Sequence, residues 1–233
     1  MWRLSLCLLI VFVALVQPAL AHPGHGGHAF ADGWQHPFAG LDHLLAMVAV
    51  GLLAVRMAGC RVQRRQAPSQ RCLAPSTSNK VQTTNKLSRC LTPLNLIGGA
   101  AIWVMPAMVM GGMVLGGCAA ALGVPLPGVE QAIMASVLGL GLLIAITKVV
   151  PLSAGTALIA LFAVFHGHAH ATEMAAGSTL AAYAAGFLLA TALLHISGVL
   201  GGLALARGFN RDAVRVTGGL IATAGVLMFC GVL

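Results

Sequence analysis

The stretch His36-Pro37-Phe38-Ala39-Gly40-Leu41-Asp42-His43 puts two imidazoles and a carboxylate within eight residues. Directly after it, Leu44 to Val55 carries no charge. Ionisable groups in hydrocarbon cost roughly 2.5–3.5 kcal/mol each on insertion scales, so three of them heading an apolar run point to function. Imidazole and carboxylate together are what borderline divalent metals bind. Pro37 suits the first turn of a helix and His36 the cap position before it. His36, Gly40 and His43 then share a face at i, i+4, i+7, and Gly40 removes a side chain so that an ion or a neighbouring helix can come close. Asp42 lies about 100° round the helix from His43. It either ligates from the side or holds an imidazole tautomer from behind. Met47, one turn below His43, reads as core.

A second cluster is Phe165-His166-Gly167-His168-Ala169-His170-Ala171-Thr172-Glu173. If the helix continues, His166, His170 and Glu173 share a face and His168 lies opposite. If Gly167 breaks it, His166, His168 and His170 line up along an extended strand. Either way two or more imidazoles reach one point. A third group, His22, His25 and His28, sits among glycines and reads as a mobile metal-collecting arm that Asp32 can join. His195 stands alone inside an apolar run; it either bonds a carbonyl or Ser197, or marks a path inward.

The elements that must position these residues are membrane helices. Apolar residues make up 58% of the chain and charged residues 8%, too few charges to cover a soluble domain of this size. The apolar stretches are continuous rather than alternating, which excludes a barrel. The expected fold is all-α: a polytopic helical membrane protein with six transmembrane helices after a cleaved signal peptide. Residues 1–21 carry the signal pattern, with Arg3, the apolar run Leu4 to Val16, and Ala19-Leu20-Ala21 as cleavage site. Residues 22–36 form the His-rich arm and residues 37–233 the six-helix domain. Its spans are expected at about 38–56, 94–121, 131–147, 150–165, 177–206 and 214–233.

Of the twelve Lys/Arg after residue 21, eight lie between Arg56 and Arg89, one is Lys148, and three lie between Arg207 and Arg215. Six spans put all of them on one side, the cytoplasm. Both mature termini and both histidine clusters then face the periplasm. This distribution excludes nucleic acid as the reason for the net charge of +8. The basic, acid-free stretch 57–93 reads as a disordered cytoplasmic loop. Cys60, Cys72 and Cys90 within it lack zinc-site spacing. Cys118 and Cys230 read as buried free thiols. Gly112-x-x-x-Gly116 and Gly198-x-x-x-Gly202 predict close helix packing.

The octapeptide fits the HPxxGxDH signature of the HupE/UreJ family of nickel/cobalt permeases, which this chain resembles. The signal pattern, the His-rich start, six spans and FHGHAHATE after the fourth span fit as well. The resemblance implies secondary import of Ni²⁺ or Co²⁺ for nickel enzymes. It carries over His36, Asp42 and His43 from the first motif, and His166, His168, His170 and Glu173 from the second. Two departures stand out: Ala171 where members often have Gly, and some 35 residues between the first two spans where members usually have a short loop.

The expected protein is therefore an inner-membrane permease and not an enzyme. It holds no permanent cofactor, takes Ni²⁺ or Co²⁺ as substrate, and also binds Zn²⁺ or Cu²⁺. Its partners are the metal ion, the lipid bilayer and nickel-enzyme maturation proteins, with no nucleic acid. Metal must displace protons from histidine, so uptake should fall as pH drops through the free-imidazole range near 6.5. Two rivals remain: a zinc-dependent intramembrane hydrolase, and a metal sensor or buffer that does not transport.

Overall fold

The computed structural model describes residues 28–70, 100–146, 151–208 and 211–233. The signal pattern, residues 22–27 of the arm with His22 and His25, residues 71–93 of the loop with Cys72 and Cys90, and Lys148 lie outside them. Seven helices and no strand occur among the described residues: α1 (Ala29–Ala39), α2 (Leu41–Gln70), α3 (Ala100–Ala121), α4 (Val129–Ala145), α5 (Leu152–Thr172), α6 (Leu180–Gly208) and α7 (Arg211–Phe229). Five of them, α2, α3, α5, α6 and α7, are long and apolar enough to cross a membrane. Helix α4 is apolar but shorter, at 17 residues, the lower limit for a span. The protein is a polytopic helical membrane protein.

Helix α2 is the hub and touches every other described helix. In its apolar window 67% of residues are buried, against 33–39% in the other four long helices. Those four turn large side chains such as Leu115, Leu161, Leu200 and Leu220 outward, as a lipid-facing ring requires. Ser136 reaches His166, and Phe162 lies beside Gly139. The middle of α4 thus meets the second half of α5 in opposite order, and the two form an antiparallel hairpin, with Pro151 at the cap of α5.

Lipid tails are as apolar as leucine, so close backbone approach is what holds such helices together. Both small-residue motifs act this way. Gly112 and Gly116 of α3 sit against the α5 backbone at Ala160 and Val164. Gly198 and Gly202 of α6 sit against α2 at Val48 and Val55, with Gly51 answering from the α2 side.

Three expectations need correction. The first span does not begin at Pro37. A separate helix, α1, already covers Ala29–Ala39 with Pro37 inside it, so most of the presumed arm from residue 29 onward is ordered. Gly33 lies against the Tyr183 backbone and Gly186 against that of Phe30, which seats α1 on the N-terminal part of α6. The stretch from Met57 is not loop at once, because α2 runs on to Gln70. Its Arg and Gln residues are good helix formers. Cys118 and Cys230 are free thiols, but exposed rather than buried.

Candidate metal centre

Gly40 makes the corner on which the first motif is built. It ends α1 in extended backbone (φ −107°, ψ 128°), and its carbonyl accepts the Leu44 N–H at 3.0 Å to start α2. The break overturns the expected common face for His36, Gly40 and His43. What Gly40 clears is room for its own neighbours: a Cβ there would stand 2.5 Å from Asp42 Oδ1 and 2.9 Å from His43 Nδ1. Asp42 Oδ1 accepts the His43 backbone N–H at 2.8 Å and approaches the His43 ring Nδ1 at 2.7 Å. A carboxylate only accepts, so the hydrogen sits on Nδ1. Nε2 then offers its lone pair, buried and without a hydrogen-bond partner among the described residues. Asp42 therefore orients His43, the role that carboxylates play behind metal-binding imidazoles.

The second motif stays helical. Gly167 does not break α5; its missing side chain lets the Met113 backbone of α3 pack against it. His166 and His170 consequently share the face toward α2, and His168 points the other way. His168 Nε2 donates to the Val124 carbonyl at 2.8 Å and fastens the α3–α4 connection. Glu173 follows as the C-cap, 2.9 Å from His36 Nε2. That hydrogen bond from His36 holds the Glu173 carboxyl below the ordinary carboxylate range, against an opposing push from partial burial.

The two motifs meet across the α1–α2 corner. The His170 ring centroid lies 4.5 Å from that of His43 and 4.7 Å from that of His36, and His43 lies 5.1 Å from His166. Phe187 of α6 closes the back of His170 at 4.1 Å, and Tyr183 flanks His36 at 5.9 Å. Two donor groups result: His43, His166 and His170, and His36, His170 and Glu173. Within each, the donor atoms lie within 4.8 Å of one another. Opposite donors on one ion stand about twice a metal–nitrogen bond apart, ~4 Å, so small side-chain shifts suffice to close either group on an ion. His170 belongs to both, and neither of its nitrogens has another partner among the described residues. The first group is buried or nearly so and built of imidazoles alone. The second is more exposed and carries the carboxylate.

Other expected ligands stay apart. His28 and Asp32 are exposed at the start of α1 and join neither group. His195 is buried on α6, about 12 Å along the helix beyond Phe187. Ser197 bonds the Leu194 carbonyl rather than His195, whose ring nitrogens have no partner among the described residues. A small cavity of about 10 Å³ lies inward of His166, lined by Met47, Val109, Ser136, Ile159 and Phe162 among others. His195 does not line it. Cys118 borders an apolar cavity of about 120 Å³ behind His170 but joins neither donor group. Sequence reasoning passed over Ser136, Tyr183 and Phe187. A serine inside an apolar helix was the faint signal for the first; the aromatic pair gave none.

The chain matches the HupE / UreJ protein family over residues 10–73 and 94–228. It belongs to the HupE/UreJ family. Both motifs lie in the matched parts, and the unmatched stretch 74–93 falls between the first two spans. The chain is also similar to Protein HupE of Rhizobium leguminosarum bv. viciae, at 35% identity over 222 residues, covering 94% of each chain. No solved structure matches it. HupE/UreJ proteins are metal transporters, and membership supports metal transport in general terms and a non-enzymatic role.

Proposed function

We propose that this HupE/UreJ protein is an inner-membrane permease that brings a divalent transition metal, Ni²⁺ or Co²⁺, from the periplasm to the cytoplasm. The observation that carries this reading is the pair of donor groups sharing His170. The half-exposed group comes first. The Glu173 carboxylate, kept ionised by its His36 contact, draws in a hydrated cation. His36 and His170 replace part of its water. The ion then exchanges His36 and Glu173 for His43 and His166 while His170 stays bound. Retaining one ligand avoids a bare ion in low dielectric, where an uncompensated charge is expensive. Asp42 keeps the His43 Nε2 lone pair turned to the incoming ion.

Beyond the imidazoles, the cavity at Met47 and Ser136 is the next space inward. His195 is a candidate for a later step, and His168 serves by holding the α3–α4 connection rather than as a ligand. The segment holding His22, His25 and His28 collects metal outside, with Asp32. The basic segments define the cytoplasmic side by the positive-inside rule. Imidazole-rich donors also take Zn²⁺ and Cu²⁺, which should therefore compete. No permanently bound cofactor is involved, and nickel-enzyme maturation proteins are the natural recipients.

Flux into proteoliposomes tests the reading. Radioactive Ni²⁺ or Co²⁺ should enter vesicles holding the wild type and be excluded from those holding His43→Ala. Tight binding without flux in the wild type would instead make the protein a buffer or sensor.

A further inference from the structure

Ser136 belongs to no motif and sits inside α4, fully buried. Its Oγ lies 2.6 Å from the Ile133 carbonyl and 2.9 Å from His166 Nε2. A serine hydroxyl has one hydrogen to donate and a carbonyl has none. The short contact with Ile133 must therefore use that hydrogen. Toward His166 the hydroxyl can only accept, so Nε2 must be the nitrogen that carries N–H. His166 Nδ1 is then the lone-pair nitrogen, and it is buried without a hydrogen-bond partner among the described residues. The same nitrogen count applied to His43, whose Nδ1–H is held by Asp42, leaves Nε2 free there.

From this we infer that Ser136 is a positioning residue of the metal centre: it fixes His166 in the Nε2–H tautomer, so that His166 binds metal through Nδ1. The inference rests on the transport-site reading and deepens it. It makes the buried group asymmetric. Helix α2 presents the far nitrogen of His43, held from behind by a carboxylate. Helix α5 presents the near nitrogen of His166, held from behind by a hydroxyl. The hydroxyl is the weaker of the two holds and lines the cavity inward of His166, so the buried group is held more loosely on its inward side. A ring held by a neutral acceptor can release its ion more readily than one held by an anion.

The test begins with metal-free protein labelled with ¹⁵N-histidine. Long-range ¹H–¹⁵N correlation spectra separate Nε2–H from Nδ1–H rings, and His166→Ala assigns the signal. The wild type should show His166 as Nε2–H. In Ser136→Ala the ring should shift toward Nδ1–H, and Co²⁺ affinity, read from its visible absorption, should fall about 10–100-fold. Ser136→Thr keeps the hydroxyl and should recover most of the affinity. Thr217→Ala removes another hydroxyl that donates to its own helix, at Ala213, and should change neither signal. An Nδ1–H ring in the wild type, or an unchanged ring and affinity in Ser136→Ala, would overturn the inference. The spectra need neither metal nor flux. An Nε2–H ring in a protein that shows no flux would uphold the tautomer and defeat the transport reading alone.

Discussion

The two ends of the α2–α4–α5 core treat polar groups in opposite ways. At the end of α4, Arg56 of α2 donates to the Ile146 carbonyl, and Arg215 of α7 donates to that of Ala145 at 3.2 Å. Arg215 also pairs with Asp212 at 2.8 Å. These guanidiniums answer the carbonyls that every helix end leaves open. At the other end imidazole nitrogens are left unpaired. Asp42 takes the hydrogen of His43, Ser136 that of His166, and His170 has no hydrogen-bond partner among the described residues. An unpaired buried nitrogen destabilises a fold by roughly 1–3 kcal/mol. On the proposed reading the open end is kept for the metal ion.

Breaking the open end should have the largest effect. Asp42→Ala removes the acceptor that holds the His43 hydrogen, so metal affinity should fall about 10–100-fold. Isothermal titration with Co²⁺ reads this directly. Gly40→Ala should approach the same loss, because its Cβ would crowd both Asp42 and His43. An affinity within threefold of wild type would show that the corner has more room than its geometry indicates.

The more exposed group should be softer. Glu173 is half exposed, so Glu173→Gln should weaken uptake only a few-fold, on the order of the 0.2–1 kcal/mol of an exposed ion pair. Its effect should lie in KM rather than the maximal rate. The pH dependence sharpens this further. A lowered carboxyl pKa favours the ionised form, so Glu173 stays charged above the ordinary carboxylate range and somewhat below it. Protonation of Glu173 is therefore not what ends uptake on mild acidification, so uptake by Glu173→Gln should still fall as the medium is acidified. Uptake by Glu173→Gln that no longer depends on pH would contradict that assignment.

The arginine end should respond least. Arg215→Ala removes a partly exposed donor and should lower thermal stability by about 1 kcal/mol or less. Metal affinity should be unchanged. A tenfold loss of affinity there would mean that the two ends are coupled.

Much of this architecture could be read from residue order. Uncharged runs and clustered Lys/Arg announce membrane helices, and HPFAGLDH with FHGHAHATE announces imidazole–carboxylate chemistry. The helix break at Gly40 could not be read, because a proline ordinarily opens a helix and Pro37 instead lies inside one. The course of α5 through Gly167 was equally open. The approach of Met113 from α3 accompanies the helical course, and such a contact is invisible in local sequence. That outcome separates His168 from His166 and His170. Ser136 lay 30 residues from its partner, in a segment whose composition marks only a membrane helix.

The central claim is that His170 serves two donor groups in succession. It is tested most directly by His170→Ala in proteoliposomes, with Co²⁺ binding and Ni²⁺ or Co²⁺ flux measured on the same preparation. Both groups lose a ligand in this variant, and no hydrogen bond among the described residues is broken. The protein should stay folded, bind metal at least about 100-fold more weakly, and carry no flux above empty vesicles. Flux within a few-fold of wild type would contradict the shared-ligand path.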